Sequence, residues 1–147
     1  MLLASNFDMK DLGEANVILG IKITKTSDGL ILSQEHYVEN LLRRVRYYYC
    51  KTVSTLYDSN THLKKNIEYC VDQARYAQLI SSLMYLINST RSDIAFAVGR
   101  LSRYTQNRNQ DHWTAVAKVA RYLRGTNDYW LKYSISPLVL EGYSDAN

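Results

Sequence analysis

The sequence predicts an α+β fold in which a β-hairpin is followed by a bundle of helices and then by a terminal strand without a partner. Near the start of the chain, alternate residues are apolar, which is typical of strands. Later, apolar residues recur every three or four positions, which is typical of helices. The composition agrees: 147 residues, 46% hydrophobic and 22% charged, suit one globular domain.

The first predicted element is a β-hairpin over residues 17–33. Its turn is Ser27-Asp28-Gly29, and residues 30–32 form the second strand. The alternating apolar positions of the first strand are Val17, Leu19, Ile21 and Ile23. Ser33 is suited to cap the following helix, whose apolar face consists of Val38, Leu41, Leu42 and Val45.

Three more helices are predicted between residues 73 and 125, after a loop-rich stretch at residues 46–72. Gly125 is suited to end the last helix. The apolar positions are Tyr76, Leu79, Ile80, Leu83 and Ile87 in the first helix, Ile94, Ala97, Val98 and Leu101 in the second, and Trp113, Val116, Val119, Ala120 and Leu123 in the third. Residues 129–147 return to β-type composition, with an apolar strand at 138–143 just before the last residue. We therefore expect the chain to be part of a longer protein.

Composition excludes several functional classes. No apolar run approaches the roughly 20 residues of a membrane helix, so no membrane partner is expected. The first residues do not resemble a signal peptide, which indicates the cytoplasm or nucleus and not secretion. Cys50 and Cys70 lie in no Cys-x-x-Cys motif, and the three histidines lack the spacing of a zinc site.

Positive charge is concentrated on the last two helices. The net charge is +4, and residues 90–125 hold seven basic against two acidic side chains. Arg100 and Arg103 share one face of the second helix, and the basic residues of the third helix lie mostly opposite its apolar positions; these are Lys118, Arg121 and Arg124. Such a cluster is either a solvated helix face or a face that contacts nucleic-acid phosphates.

Several short motifs resemble one known family in order and spacing. They are Phe7-Asp8-Met9-Lys10-Asp11-Leu12-Gly13, Leu19-Gly20-Ile21-Lys22-Ile23, Gly29-Leu30-Ile31-Leu32-Ser33-Gln34, Ser82-Leu83-Met84-Tyr85-Leu86, Thr90-Arg91-Ser92-Asp93-Ile94, Arg121-Tyr122-Leu123-Arg124-Gly125-Thr126 and Gly142-Tyr143-Ser144-Asp145-Ala146-Asn147. Together they resemble the Pol polyprotein of copia-type LTR retrotransposons, which contains a reverse transcriptase and an RNase H. The resemblance covers essentially the whole chain.

The resemblance implies three regions. Residues 1–34 are similar to the end of the reverse-transcriptase palm with its primer-grip hairpin. Residues 35–128 are similar to the thumb and connection helices. Residues 129–147 are similar to a tether and the first strand of a truncated RNase H domain.

The resemblance also implies contacts with nucleic acid. The segment Leu19-Gly20-Ile21-Lys22 is similar to the primer grip, where a glycine either lets the backbone approach the primer or relieves a twisted hairpin. In the turn before Ser82-Leu83-Met84-Tyr85, the family usually has glycine where this chain has Ser81, whose side chain would lie between the helix and the duplex. Tyr85 either stacks on a sugar or base or covers the thumb core.

The resemblance also implies that most of the catalytic residues of the family are missing from this chain. The Tyr-x-Asp-Asp motif of the polymerase lies upstream in the family, and this chain has no adjacent pair of aspartates. Asp145 matches the first metal-binding carboxylate of RNase H and is a vestigial catalytic and metal ligand, since the chemistry needs several carboxylates around two metal ions. Mg²⁺ therefore belongs to the parent enzyme, and none is expected on this fragment.

The resemblance thus predicts a catalytically inactive fragment of an RNA-directed DNA polymerase and RNase H polyprotein. Its expected partners are an RNA/DNA template–primer duplex and the remainder of the Pol polyprotein. One alternative is a small helical nucleic-acid-binding module, in which the last two helices imitate a helix-turn-helix across residues 105–110. Another is a chain without molecular function that folds poorly, because one apolar face of the hairpin is exposed.

Proline is scarce, with one residue, Pro137. The family favours proline at five positions where this chain has Thr52, Leu56, Ser59, Ser92 and Arg108. Each replacement is one base change from a proline codon, which suggests drift in a copy released from selection. Each lost loop proline costs about 0.4–1 kcal/mol through added entropy of the unfolded chain.

Overall fold

The helices occupy the predicted regions. Before them, the chain reverses its direction once more than predicted. The computed structural model describes residues 13–56, 63, 73–106 and 109–134. The helices are Glu35–Arg44 (α1), Gln73–Ser89 (α2), Ala95–Ser102 (α3) and Gln110–Gly125 (α4), with a 3₁₀ turn at Ser92–Ile94. The strands are Val17–Ile18 (β1), Ile21–Thr26 (β2), Gly29–Ser33 (β3) and Leu131–Ser134 (β4).

The predicted first strand of the hairpin is in fact two strands. Leu19 and Gly20 have φ values of 50° and 79°, so they reverse the chain between β1 and β2. Positive φ at both central residues is the requirement of a type I′ hairpin turn. The prediction of one continuous strand over residues 17–24 was therefore wrong, because alternation of apolar residues does not reveal a two-residue turn. The second turn, at Ser27 and Asp28, is confirmed.

The C-terminal segment begins by joining this sheet. The order is β1-β2-β3-β4 with every pair antiparallel, and β4 pairs with β3 through Leu32 and Leu131 and through Gly29 and Ser134. A Cβ atom on Gly29 would overlap the backbone carbonyl of Tyr133, so glycine permits this pairing. Strand β4 lies within residues 129–147, which the sequence predicted to be of β-type composition. The terminal unpaired strand predicted at residues 138–143 lies outside the described residues.

The hydrophobic core lies among the helices. Helices α2 and α3, α3 and α4, and α1 and α4 are in contact. The buried apolar side chains are Val38, Leu41, Leu42, Leu63, Tyr76, Leu79, Ile80, Leu83, Leu86, Ile94, Ala97, Val98, Leu101, Val116, Val119, Ala120 and Leu123. Every strand residue is at least partly exposed, so the sheet contributes nothing to this core.

A buried polar pair anchors the sheet to the helices at the junction between β3 and α1. The side chain of Gln34 is 2% exposed, and its Oε1 accepts a hydrogen bond of 2.8 Å from the Thr90 hydroxyl. Thr90 directly follows the last residue of α2. This hydrogen bond therefore attaches the end of the sheet to the helical body. None of the described strand residues is fully buried against the helices.

The helix ends follow the predictions in part. Gly125 is the last residue of α4, as predicted. The N-cap of α1 is Gln34 and not Ser33, although the Ser33 hydroxyl accepts a hydrogen bond of 3.3 Å from the amide of Glu35. At α4, Asn109 and His112 form a reciprocal capping box that the sequence analysis missed. Residues 46–56 contain neither helix nor strand, as expected for this stretch.

Candidate nucleic-acid interface

The predicted primer-grip segment forms the exposed tip of the first hairpin. Leu19 is 82% exposed at the turn, Lys22 is exposed on β2, and Ile21 is half-buried. Gly20 adopts a φ of 79°, which L-amino acids other than glycine adopt only with strain. The conformation of the turn is therefore by itself a sufficient reason for glycine at position 20, independently of any contact with a primer.

Tyr85 joins this tip to α2. Its hydroxyl donates a hydrogen bond to the backbone carbonyl of Leu19, across 66 positions of sequence. Its ring packs on the ring of Tyr37 from α1, with centroids 4.9 Å apart and planes tilted by 57°. Tyr85 is half-buried as a result. The structure thus brings together the two parts of the site that the sequence placed far apart.

Ser81 lies on the same face of α2, one helical turn before Tyr85. It is exposed and sits inside the helix, since α2 extends from residue 73 to residue 89. The prediction that Ser81 lies in a turn was therefore wrong. Residues four apart lie above one another on a helix, and Tyr85 contacts the hairpin tip. Ser81, Tyr85, Leu19 and Gly20 are together called here the tip surface.

A groove of about 350 Å³ lies next to the tip surface and has mixed charge. Lys22 lines it, together with Gly20 and Val17 from the hairpin. The other lining residues belong to the β3–α1 junction: Ser33, Glu35, His36 and Glu39. The two glutamates offset the single lysine, so this groove is not uniformly attractive to phosphate.

The predicted basic residues of α3 are accessible to solvent. Arg100 is half-buried, and its guanidinium lies 6.0 Å from the centre of the Phe96 ring, which is itself exposed. Arg103 is exposed and is the C-cap residue of α3, just beyond the last helical residue. Both arginines remain candidates for phosphate contacts.

Two of the three predicted basic residues of α4 donate hydrogen bonds to backbone carbonyls of the chain. The Nε of Arg121 donates to the carbonyl of Lys51 at 2.7 Å, and the Nε of Arg124 donates to the carbonyl of Tyr48 at 2.8 Å. Arg124 also lies over the Tyr48 ring at 4.9 Å. These two arginines therefore hold the segment 46–56 against α4. Lys118, the third predicted basic residue on this helix, is half-buried.

A second groove, of about 560 Å³, is lined by residues that were not predicted to form a functional site. Its polar lining consists of Arg46, Arg75 and Gln110, and its apolar lining includes Trp113. These residues come from α2, α4 and the segment after α1. No local motif connects them, so only the folded chain reveals the groove.

A buried arginine was also missed. Arg91 is 2% exposed and makes two hydrogen bonds to the carboxylate of Asp93, of 3.0 and 2.8 Å. It also donates to the carbonyl and hydroxyl of Thr126, at 3.0 and 2.7 Å. The Tyr122 hydroxyl donates to Asp93 at 3.1 Å. This Arg91 network connects the end of α2 to the end of α4, and its sequence signal is the charged pair two residues apart in Thr90-Arg91-Ser92-Asp93.

The Arg91 network changes the acidity of Asp93. Partial burial raises the pKa of the Asp93 carboxyl, but the hydrogen bonds and positive charge of Arg91, together with the bond from Tyr122, lower it more. The pKa therefore lies below the ordinary value for aspartate. Because Arg91 and Tyr122 both donate hydrogen bonds to this carboxylate, it acts as a structural anion.

The described residues offer neither a cluster of metal ligands nor a membrane-spanning helix. Within residues 13–56, 63, 73–106 and 109–134, no three His, Cys, Asp or Glu side chains cluster so as to hold a metal ion. Asp145, the predicted catalytic and metal-binding carboxylate, lies outside the described residues. None of the described helices has both the length and the apolar character required to span a membrane.

Comparison with known proteins identifies relatives along the whole chain. No protein-family model matches it, and no solved structure matches it. The chain is 42% identical over 156 residues to the retrovirus-related Pol polyprotein from transposon TNT 1-94 of Nicotiana tabacum. It is 36% and 34% identical, each over 148 residues, to the retrovirus-related Pol polyproteins from transposons RE2 and RE1 of Arabidopsis thaliana. Each match covers 99% of this chain.

These relatives define the class as proteins of transposable elements. The chain belongs with the retrovirus-related Pol polyproteins of transposons, and the resemblance is confirmed at that level. It spans 12% of the tobacco polyprotein and 10% of each of the two Arabidopsis polyproteins. It therefore corresponds to a fragment of a retrotransposon Pol polyprotein.

Proposed function

We propose that the chain contributes template–primer contacts to a copia-type reverse transcriptase and RNase H polyprotein, and that it catalyses neither polymerisation nor hydrolysis by itself. One observation carries the proposal: the hydrogen bond between Tyr85 and Leu19 joins the segment that resembles the primer grip to an exposed face of the helix that resembles the thumb. A duplex lying on both would contact the tip surface. Lys22 and Arg103, which are exposed, and Arg100, which is half-buried, are the proposed phosphate contacts.

The absence of catalysis rests on sequence. Two-metal phosphoryl transfer requires several carboxylates at one site, and the chain has no adjacent aspartate pair. Asp145 would be one ligand of the RNase H centre of the parent enzyme. Mg²⁺ would therefore act in the complete polyprotein, where other carboxylates complete the site.

Binding to labelled RNA–DNA and DNA duplexes tests the proposal, with fluorescence anisotropy as the readout. We expect weak binding without sequence preference and a steep loss of affinity with added salt. Lys22→Ala should reduce the slope of log Kd against log salt by about one, as loss of one phosphate contact predicts. Lys25→Ala is the matched control, because Lys25 lies on the same strand with its side chain on the other face of the sheet.

Three results would contradict the proposal. The first is no duplex binding at low salt, and the second is an equal effect of Lys22→Ala and Lys25→Ala. The third is strong discrimination among DNA sequences, which would favour the helix-turn-helix alternative. That alternative is already less suited to the structure, since α4 uses Arg121 and Arg124 to hold the segment 46–56.

The sheet supports a second proposed partner, the remainder of the Pol polyprotein. Directly paired residues of antiparallel strands project from the same face. The register therefore places mostly apolar side chains on one side of the sheet. The apolar residues on this side are Ile18, Ile21, Ile23, Leu30, Leu32, Leu131 and Tyr133, and Lys25, which pairs with Leu30, lies among them. Ile18, Leu30 and Tyr133 are 48%, 38% and 56% exposed. An apolar face of this extent favours coverage by another surface.

Association in trans tests this partner. The portion of the parent polyprotein that precedes this chain would be expressed separately and mixed with it, and complex formation would be measured by sedimentation velocity. Leu30→Ser should weaken the complex, whereas Ile31→Ser, on the opposite face of β3, should not. Equal effects of the two substitutions would contradict coverage of the apolar face.

A further inference from the structure

We infer that the Tyr85 hydroxyl is a positioning group: it holds the hairpin tip at a fixed place on α2, and it affects nucleic acid through the tip and not by stacking. The sequence left open whether Tyr85 stacks on a sugar or base. The structure adds a third role, because the Tyr85 hydroxyl donates to the hairpin tip. The consequence for nucleic acid rests on the proposed function, whereas the hydrogen bond itself does not.

The contacts of the Tyr85 ring restrict where a base could stack on it. One side of the Tyr85 ring is taken up by Tyr37, with centroids 4.9 Å apart. The hydroxyl is engaged with the Leu19 carbonyl. A base could therefore stack only on the side of the ring that faces away from Tyr37, while the hydroxyl stays engaged with the hairpin tip.

The geometry of the tip explains why it needs such a bond. Strand β1 has two residues, and both are exposed. The tip itself, Leu19 and Gly20, buries little surface, and a Cβ atom added to Gly20 would meet only the Tyr85 hydroxyl, at 4.0 Å. Strand β1 pairs with β2 at two positions, Val17 with Lys22 and Ile18 with Ile21. A single hydrogen bond from a rigid helix therefore has a large influence on where the tip lies.

The substitution Tyr85→Phe removes the hydroxyl and keeps the ring on Tyr37. Tyr104→Phe is the matched control, because the Tyr104 hydroxyl also donates to a backbone carbonyl, that of Leu63 at 2.8 Å. Amide hydrogen exchange at Ile18 and Ile21, which pair across the tip, would be measured by NMR in the 147-residue chain. Loss of one hydrogen bond predicts exchange about fivefold faster in Tyr85→Phe and unchanged at these amides in Tyr104→Phe.

Duplex affinity is the second readout. We expect Tyr85→Phe to raise Kd several-fold while the slope against salt stays the same, because a positioning group removes no phosphate contact. Unchanged exchange at the tip would overturn the inference that the Tyr85 hydroxyl holds the tip in place. Faster exchange with unchanged Kd would overturn its effect on nucleic acid. Failure of the unmodified chain to bind any duplex would refute the proposed function and the positioning role together, while the exchange rates would still decide whether the bond holds the tip.

Discussion

Replacing Arg91 by methionine tests whether the Arg91 network holds the helical body together. Methionine keeps much of the length and apolar volume of the side chain but removes four donated hydrogen bonds. The Asp93 carboxylate would keep the Tyr122 hydroxyl, and the Thr126 carbonyl would lose its Arg91 donor. Breaking a buried ion pair from one side costs about 3–5 kcal/mol. Since the Asp93 side chain is 33% exposed and partly hydrated, we expect the lower end, about 3 kcal/mol.

Urea unfolding at neutral pH, followed by circular dichroism, measures this loss. For a small domain the free energy of unfolding falls by about 1–3 kcal/mol per molar urea, so the midpoint should move by about 1–3 M. Arg103→Met is the control, because Arg103 is an exposed arginine, and an exposed substitution should change the free energy of unfolding by no more than about 0.5 kcal/mol.

A double variant separates the unpaired charge from the lost packing. Arg91→Met with Asp93→Leu removes the carboxylate that Arg91→Met leaves without its cation. We expect the double variant to be more stable than Arg91→Met, since an uncompensated charge causes much of the cost. Equal midpoints for Arg91→Met and Arg103→Met would refute the reasoning. A double variant less stable than Arg91→Met would assign the cost to packing and not to charge.

Three further predictions concern other parts of the helical body. Asn109→Ala should lower the free energy of unfolding by about 1 kcal/mol through loss of the α4 cap, and Asn109→Asp, which keeps an acceptor, should lower it less. Burial lowers the pKa of His112 more than the nearby Asp111 raises it. The associated stability is therefore present above pH 6.5 and declines as the pH falls through the folded pKa; urea midpoints should drop on acidification, and less so in His112→Gln. Ser92→Pro should raise the free energy of unfolding by about 0.4–1 kcal/mol, because Ser92 opens a helical turn where proline is tolerated, and an unchanged or lower midpoint would count against the proline-loss hypothesis.

Local patterns predicted the helices well because each carries its own apolar stripe. Residues such as Leu79, Leu83, Val116 and Val119 recur at helical spacing and are buried where that spacing places them. The same method missed the turn at Leu19 and Gly20, since alternation over residues 17–23 is equally compatible with one strand or two. The turn at Ser81 was expected from the family resemblance, whereas the local spacing predicted the helix that continues through it.

The sequence by itself determined the α+β class, the helical core, the end of α4 at Gly125 and the relation to Pol polyproteins, because these depend on local periodicity and on collinear motifs. Only the tertiary structure decided that β4 pairs with β3, that Arg91 is buried against Thr126, and that Tyr85 contacts Leu19. Each of these contacts joins residues at least 35 positions apart. Hydrogen bonds of this kind leave no periodic trace in the sequence, since they depend on where the packed helices bring the two partners.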